Sequence, residues 1–132
     1  MTTFPDTHKD LLDAPVAALT TINPEGYPQT TLVWFVHDQG VMKLSLNATR
    51  LKTKNLIRNP KVGLLIIDPA SPMRYLDIRG DAKAEPDPDL AFAHGPLMDK
   101  YNADVSTRDQ PGEERILVTI APTNVYAVDM RG

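Results

Sequence analysis

The sequence predicts a mainly β protein, a small antiparallel β-barrel of about seven strands with two or three short helices packed outside it. Three observations carry this. About seven stretches rich in β-branched and apolar residues recur along the chain, separated by Gly, Pro, Asn and Asp turn signals. The strand–helix alternation of a parallel sheet is missing. A length of 132 residues suits one domain with a real core and is too short for two comfortable ones.

Residues 16–22 (VAALTTI) are apolar and β-branched and run into Asn23-Pro24-Glu25-Gly26, a turn with glycine where positive φ is tolerated. Residues 30–36 (TTLVWFV) close a hairpin with them, and His37-Asp38-Gln39-Gly40 is the next turn. Residues 41–46 (VMKLSL) alternate, with Met42, Leu44 and Leu46 on one face and Val41, Lys43 and Ser45 on the other. These three strands are expected in meander order. A short helix follows, with Asn47 or Thr49 as N-cap and Pro60 ending it near Arg58. Residues 62–67 (VGLLII) form a nearly continuous apolar run, the mark of a strand covered on both faces.

After a loop at 68–72, residues 75–83 (YLDIRGDAK) alternate again, Leu76 and Ile78 opposing Tyr75, Asp77 and Arg79. Gly80 within them marks a bulge or a close backbone approach. Residues 87–101 (DPDLAFAHGPLMDKY) read as a helix broken at Gly95-Pro96. The polar stretch up to Glu114 breaks most clearly at Pro111-Gly112. Residues 115–120 (RILVTI) and 124–130 (NVYAVDM) read as two more strands around Ala121-Pro122-Thr123.

The absence of cysteine excludes a disulfide framework, a thiol nucleophile and a cysteine zinc site, and fits a reducing compartment. The opening MTTFPDTHKDLL has neither a basic n-region nor an apolar h-region, so no signal peptide is expected. The longest apolar run, 64–67, is far too short to span a bilayer. A soluble, cytoplasmic protein is the expectation. Net charge is −3, but between Asp38 and Asp68 there is no acidic residue, while Lys43, Arg50, Lys52, Lys54, Arg58 and Lys61 lie there. A +6 segment in a chain otherwise near −9 points to a specific anion; a long polyanion would be repelled by the remainder. With no aromatic residue among those cations and a pI near 5.5, nucleic acid is not an expected partner.

The usual catalytic signatures are missing: no Gly-x-Ser-x-Gly elbow, no phosphate loop, no Gly-x-Gly-x-x-Gly and no paired-His metal motif. His8, His37 and His94 are far apart and read as surface or packing residues, so no metal is expected. Asp87 and Asp89 flank Pro88 at a helix start, where carboxylates suit the dipole. Glu113-Glu114 reads as solvated loop. For Trp34, packing in a core or an interface is expected ahead of a stacking role.

The basic helix remains. A helix N-terminus carries about +0.5 of a charge, so Arg50, Lys52 and Lys54 in its opening turns are each misplaced by roughly 0.3–1 kcal/mol. Arg50, Lys54 and Arg58 form one stripe at i, i+4, i+8, which a solvated face explains; Lys52 falls about 200° from Arg50 and is left over. The alternative is that Arg50, Lys52 and the first-turn amides converge on a phosphate, with Ser45 and Asn55 supplying hydrogen bonds. The residues alone leave both readings open.

Three segments in order, VAALTTINPEGYPQTTLVWF, LSLNATRLKTKNLIRNPKVGLLI and RYLDIRGDAK, with RILVTIAPTNVYAV matching the closing strands, resemble the pyridoxamine-phosphate-oxidase-like FMN-binding split-barrel superfamily. The chain looks most like its branch of deazaflavin-dependent, that is coenzyme F420-dependent, oxidoreductases. The resemblance implies a split barrel pairing into a homodimer with two cofactor sites at the interface. It implies that Arg50 and Lys52 hold the cofactor phosphate, helped by Ser45, Leu46, the Leu51 amide and Asn55. The strand from Gln29 would line the tricyclic ring through Thr31, Leu32 and Val33, and Arg74, Tyr75, Leu76 and Arg79 of the other subunit would close the site. Loops 68–73 and 101–112 would wall the substrate pocket.

The hydride chemistry in such proteins belongs to the cofactor, and no catalytic acid or base is implied. This chain is shorter than the vitamin-making oxidases and lacks their basic C-terminal motif after Met130. A reductase of another small conjugated compound is therefore expected in place of pyridoxamine phosphate oxidation. FMN in the same phosphate site, or a flavin or haem carrier without turnover, are the alternatives.

Overall fold

The computed structural model describes residues 3–131. Seven strands, β1 (Ala17–Ile22), β2 (Pro28–Val33), β3 (Val36–Asp38), β4 (Val41–Asn47), β5 (Lys61–Ile67), β6 (Arg74–Pro86) and β7 (Arg115–Asp129), form one antiparallel sheet. Two short α-helices, α1 (Leu51–Arg58) and α2 (Pro96–Tyr101), accompany it. The strand order is β2-β1-β5-β6-β7-β4-β3.

The two edge strands, β2 and β3, are consecutive in the chain and separated only by Trp34 and Phe35. Three Cα–Cα steps keep Val33 and Val36 within about 11 Å of each other. The sheet must therefore curl until its edges meet, yet no ladder joins them, which is the predicted split barrel. Side chains from α2 fill the gap: Tyr101 Oη accepts from the Phe35 N–H at 3.0 Å, and Lys100 Nζ donates to the Phe35 and Ala14 carbonyls, both at 2.8 Å. Backbone groups denied a sheet partner are thus satisfied.

Inside the curl lie Leu19, Phe35, Met42, Leu44, Leu64, Ile66, Leu76, Ile78, Val118 and Ile120, all essentially buried. Each such side chain contributes roughly 1.5–3 kcal/mol. The 3₁₀ segment Asp6–Asp13 covers one end of the core with Leu11 and Leu12. His8, expected at the surface, is buried there: its Nε2 bonds the Val128 carbonyl at 3.0 Å while Nδ1 meets the Thr7 hydroxyl. No helix among the described residues is long and apolar enough to cross a membrane.

Several boundaries differ from the sequence reading for physical reasons. The single strand expected at 30–36 is two, because the chain leaves one sheet edge at Val33 and joins the other at Val36. The first three strands are not a meander, since β4 pairs with β3 and β7 and never with β2. The two closing strands are one continuous β7. Pro122 is tolerated because β7 pairs with β4 only through Ile120, and Pro122 faces Gly80 where the β6 register shifts. Gly80 is required there: a Cβ would stand 2.5 Å from the Ala121 carbonyl oxygen.

Residues 87–95 are turns, organised by the buried Asp87 carboxylate, which accepts from the Phe92 and Ala93 amides; only 96–101 are helical. The run in β5 is covered on one face, with Val62, Leu64 and Ile66 buried while Ile67 is 40% exposed. Ile67 shares the outer sheet face with Tyr75, Leu65 and Tyr126.

Candidate functional site

The extended residue before α1 is Arg50, and no side chain caps the helix or places an acid in its first turn. Asn47 and Thr49, the expected caps, instead tie the turn ahead of it: Asn47 Oδ1 accepts from the Thr49 amide at 2.9 Å and hydroxyl at 2.7 Å. The Asn47 carbonyl accepts from Thr53 Oγ1 at 2.8 Å. The N-terminal N–H groups of α1 therefore point onward without a protein acid to meet them.

They border a cleft of about 580 Å³. One wall is the end of β2 with Leu32, Val33 and Trp34; the floor is the end of β4 with Ser45, Leu46 and Asn47; Arg50 and Lys52 flank the start of α1; residues 103–108 form the far side. Ser45 is buried, and its Oγ has no hydrogen-bond partner among the described residues. Lys52 Nζ donates to Thr31 Oγ1 at 3.1 Å. Burial, and secondarily the charge of Arg50, push the Lys52 ammonium below the ordinary lysine value. Arg50 makes no ion pair or side-chain hydrogen bond among the described residues. Both cations line the cleft without an ion pair of their own among the described residues, although Asp104 shares the lining and Asp109 feels the charge of Arg50, and the pair suits an anion supplied from outside.

The far side is fastened by polar bonds. Arg115 grips Asp109 through two hydrogen bonds of 2.6 and 2.7 Å and also donates to the Val105 carbonyl at 2.9 Å. Asn47 Nδ2 donates to Asp109 at 3.0 Å and Glu113 at 3.2 Å, so one buried side chain couples the turn before α1 to this loop. The Arg115 contact holds the Asp109 carboxyl below the usual carboxylate range. Asp104 caps the 3₁₀ turn Val105–Arg108, accepting from the Ser106 amide and hydroxyl, and lines the cleft beside Arg108.

Of the residues singled out from sequence, Leu32, Val33, Ser45, Leu46, Arg50 and Lys52 come together here, with Thr31 behind them holding Lys52. Leu51 presents its amide at the helix start while its side chain is exposed. Asn55 and Gln29 are placed differently. Asn55 is buried and donates to Thr21 Oγ1 and Gln29 Oε1 at 3.1 and 3.2 Å, pinning α1 to β1 and β2 rather than reaching the cleft.

Arg74 and Leu76 lie on the inner face of β6. Leu76 is core, and Arg74 is taken up by Asp10, Asp68 and the Thr7 carbonyl. Tyr75 and Arg79 lie on the outer face, the Arg79 guanidinium 5.0 Å over the Tyr126 ring. Loop 101–112 walls the cleft as expected, whereas 68–73 does not. Arg58 donates to the Ile22 carbonyl, which leaves Lys54 as the solvated member of the stripe.

Sequence reasoning missed Arg108, Asp104 and the position of Trp34. Nothing in the spacing of 103–108 announces that this stretch returns to β4; a basic residue in an expected pocket loop was the only signal.

The sequence matches the pyridoxamine 5'-phosphate oxidase family over residues 4–129. No curated protein matches it. Among solved structures, an F420 reductase is 32% identical, with a TM-score of 0.82 over 93% of this chain and 98% of that one. A candidate pyridoxamine 5'-phosphate oxidase from Listeria innocua is 23% identical, with a TM-score of 0.72 over 92% of this chain and 95% of that one. A haem-binding protein from Mycobacterium smegmatis is 16% identical, with a TM-score of 0.68 over 97% of this chain and 60% of that one. The last two likenesses concern the fold alone.

Proposed function

The chain belongs to the pyridoxamine 5'-phosphate oxidase family, and on that premise we propose that it is an oxidoreductase using coenzyme F420 to reduce a small conjugated compound. The observation that carries this reading is the convergence of Arg50, Lys52 and the uncapped start of α1 on a cleft whose floor holds the orphaned Ser45 hydroxyl. A buried hydroxyl without a partner costs about 1–3 kcal/mol, a cost removed when a ligand oxygen accepts from it. The donor set fits a phosphate: one guanidinium, one ammonium, one hydroxyl and free backbone amides.

In this reading Arg50 and Lys52 hold the phosphate and Ser45 donates to it, while Leu32 and Val33 back the tricyclic ring along β2. Thr31 orients Lys52, and Asn55 fixes the pitch of α1. The bound deazaflavin supplies the hydride. Arg108 adds a third cation suited to an acidic tail. The identity to an F420 reductase supports this cofactor; the family match supports FMN in the same phosphate site as the second reading.

A second copy of the chain is part of the proposal. The outer sheet face exposes Ile67 at 40% and Tyr126 at 45% beside the charged side chains of Asp77 and Arg79, a mixed surface of the kind an isologous interface covers. Across it, Tyr75 and Arg79 of one subunit would reach the other's cleft.

Titrating F420 and FMN side by side into the purified protein, with cofactor fluorescence as readout, tests the reading. Saturable F420 binding at micromolar concentration with substrate-dependent reoxidation is expected. FMN alone saturating selects the second reading, and tight binding with no reoxidation of the reduced cofactor by any conjugated acceptor makes the protein a carrier.

A further inference from the structure

Trp34 is the single tryptophan of the chain and stands in the two-residue link that spans the split. It is 37% exposed and lines the cleft. Its ring lies on that of Tyr101, with centroids 4.3 Å apart and planes 5° from parallel. Tyr101 is itself fixed at its far end, where Oη accepts from the Phe35 N–H and donates to the Pro15 carbonyl at 2.9 Å. Lys100 holds the Phe35 carbonyl on the other side of the same peptide. The backbone carrying Trp34 is thus clamped by two side chains of α2, and the indole is backed by a second ring.

Phe35 is fully buried while Trp34 keeps surface in the cleft, where a ligand ring can reach it. Offset-stacked rings attract beyond their buried area, and a rigid pre-stacked pair loses little entropy when a third ring joins it. Position agrees with this use. Lys52, Leu32, Val33 and Trp34 all line this one cleft. The cleft thus carries cations, Arg50 and Lys52, and an aromatic surface, Trp34, in one lining.

We propose that Trp34, backed by Tyr101, is the stacking surface of a second subsite in the cleft, one that takes a planar conjugated ring compound beside the cofactor. The assignment rests on the proposed function for its meaning as a substrate site, but the stacking itself does not.

Menadione, a planar naphthoquinone, and 2-cyclohexenone, a small puckered enone, are the probes. With a single tryptophan, quenching of tryptophan emission, excited selectively over the four tyrosines, reports this position. Menadione is expected to quench to a plateau at one per chain and cyclohexenone not to. In equilibrium dialysis, Trp34→Phe should bind menadione within about threefold of the wild type and Trp34→Leu at least about tenfold more weakly, as loss of one stacked ring implies. Cofactor titration is run on the same samples. Linear, non-saturating quenching in the wild type, equal binding by Trp34→Leu, or an equal loss of cofactor and menadione affinity in that variant each overturns the inference. The wild-type measurement decides the matter even if Trp34→Leu does not fold. Saturable menadione binding without any cofactor binding would instead remove the proposed function and leave the subsite standing.

Discussion

Lys52 Nζ and Thr31 Oγ1 lie 3.1 Å apart, a hydrogen bond that carries the second residue of α1 back onto the edge strand β2. The contact explains why Lys52 falls off the solvated stripe of its helix. On a free helix its ammonium would turn to water; here it is drawn under the cleft wall and partly desolvated. Desolvating an unpaired cation is unfavourable, so a site that does so is built for a partner that the chain itself does not contain.

If that partner is the cofactor phosphate, Lys52→Ala should weaken FMN or F420 binding by about tenfold or more, the value of a charge-assisted hydrogen bond of 1.5–3 kcal/mol. Arg58→Ala should change it less than about twofold, because Arg58 donates to the Ile22 carbonyl away from the cleft. Fluorescence titration of both variants checks this, and equal losses would show that the helix acts only through its general charge.

The depressed Lys52 pKa gives a pH signature. The folded chain releases this proton below the ordinary value of 10.5, so between the two values the unfolded chain holds more protons and stability rises with pH. Anion binding runs the opposite way: it needs the ammonium and is lost as pH climbs through the depressed value. Lys52→Met should therefore raise the melting temperature of the ligand-free protein at pH 7.5, while its weakened cofactor affinity does not share the fall that wild-type affinity shows as pH rises toward the ordinary lysine value. A lower melting temperature in the variant would mean that the Thr31 hydrogen bond outweighs desolvation.

Much of this was legible in the chain. Alternation marked β4 and β6, turn glycines marked the hairpins, and Gly80 marked the register shift, because each is a local constraint written in neighbouring residues. The cations of α1 were legible for the same reason. What escaped was set by closure of the barrel. Whether 30–36 is one strand or two depends on where the sheet edges meet, and no local pattern encodes that. Arg74 shares the inner face of β6 with Leu76 and Ile78, and a charge is tolerated there because Asp10 and Asp68, far off in sequence or across a loop, receive the guanidinium. Asn55 does not line the cleft, since its Nδ2 donates to Thr21 and Gln29, while its Oδ1 is buried without a partner among the described residues.

Gly80→Ala tests the closure directly. Its Cβ would stand 2.5 Å from the Ala121 carbonyl oxygen and 3.0 Å from Ile120 Cγ2, both in the packed β6–β7 ribbon. Neither backbone can retreat without breaking the ladder, so a loss of about 1–3 kcal/mol in urea unfolding is expected. A neutral result would place the register shift elsewhere.

The outer face makes a prediction about assembly. Ile67 ends β5 beside Tyr75, at the side of the sheet opposite the core. Ile67→Asp should convert a dimer to a monomer in sedimentation velocity, with far-UV circular dichroism unchanged, since a desolvated unpaired carboxylate costs several kcal/mol at an interface and little in water. A wild-type protein that sediments as a monomer at micromolar concentration would remove the second subunit from the site.

Ser45 separates stability from function most sharply. Its hydroxyl is buried on the cleft floor with no acceptor, while the residues around it on β4, Leu44 and Leu46, pack normally. Ser45→Ala removes the orphaned group and keeps the backbone pairing to Leu117, so the ligand-free protein should gain about 1 kcal/mol. With cofactor present the sign reverses: the variant lacks a donor to the phosphate and should bind about five- to tenfold more weakly. Denaturant unfolding with and without saturating FMN or F420 measures both in one experiment. Destabilisation in both conditions would mean that the hydroxyl is already satisfied and that the cleft floor has no anion to wait for.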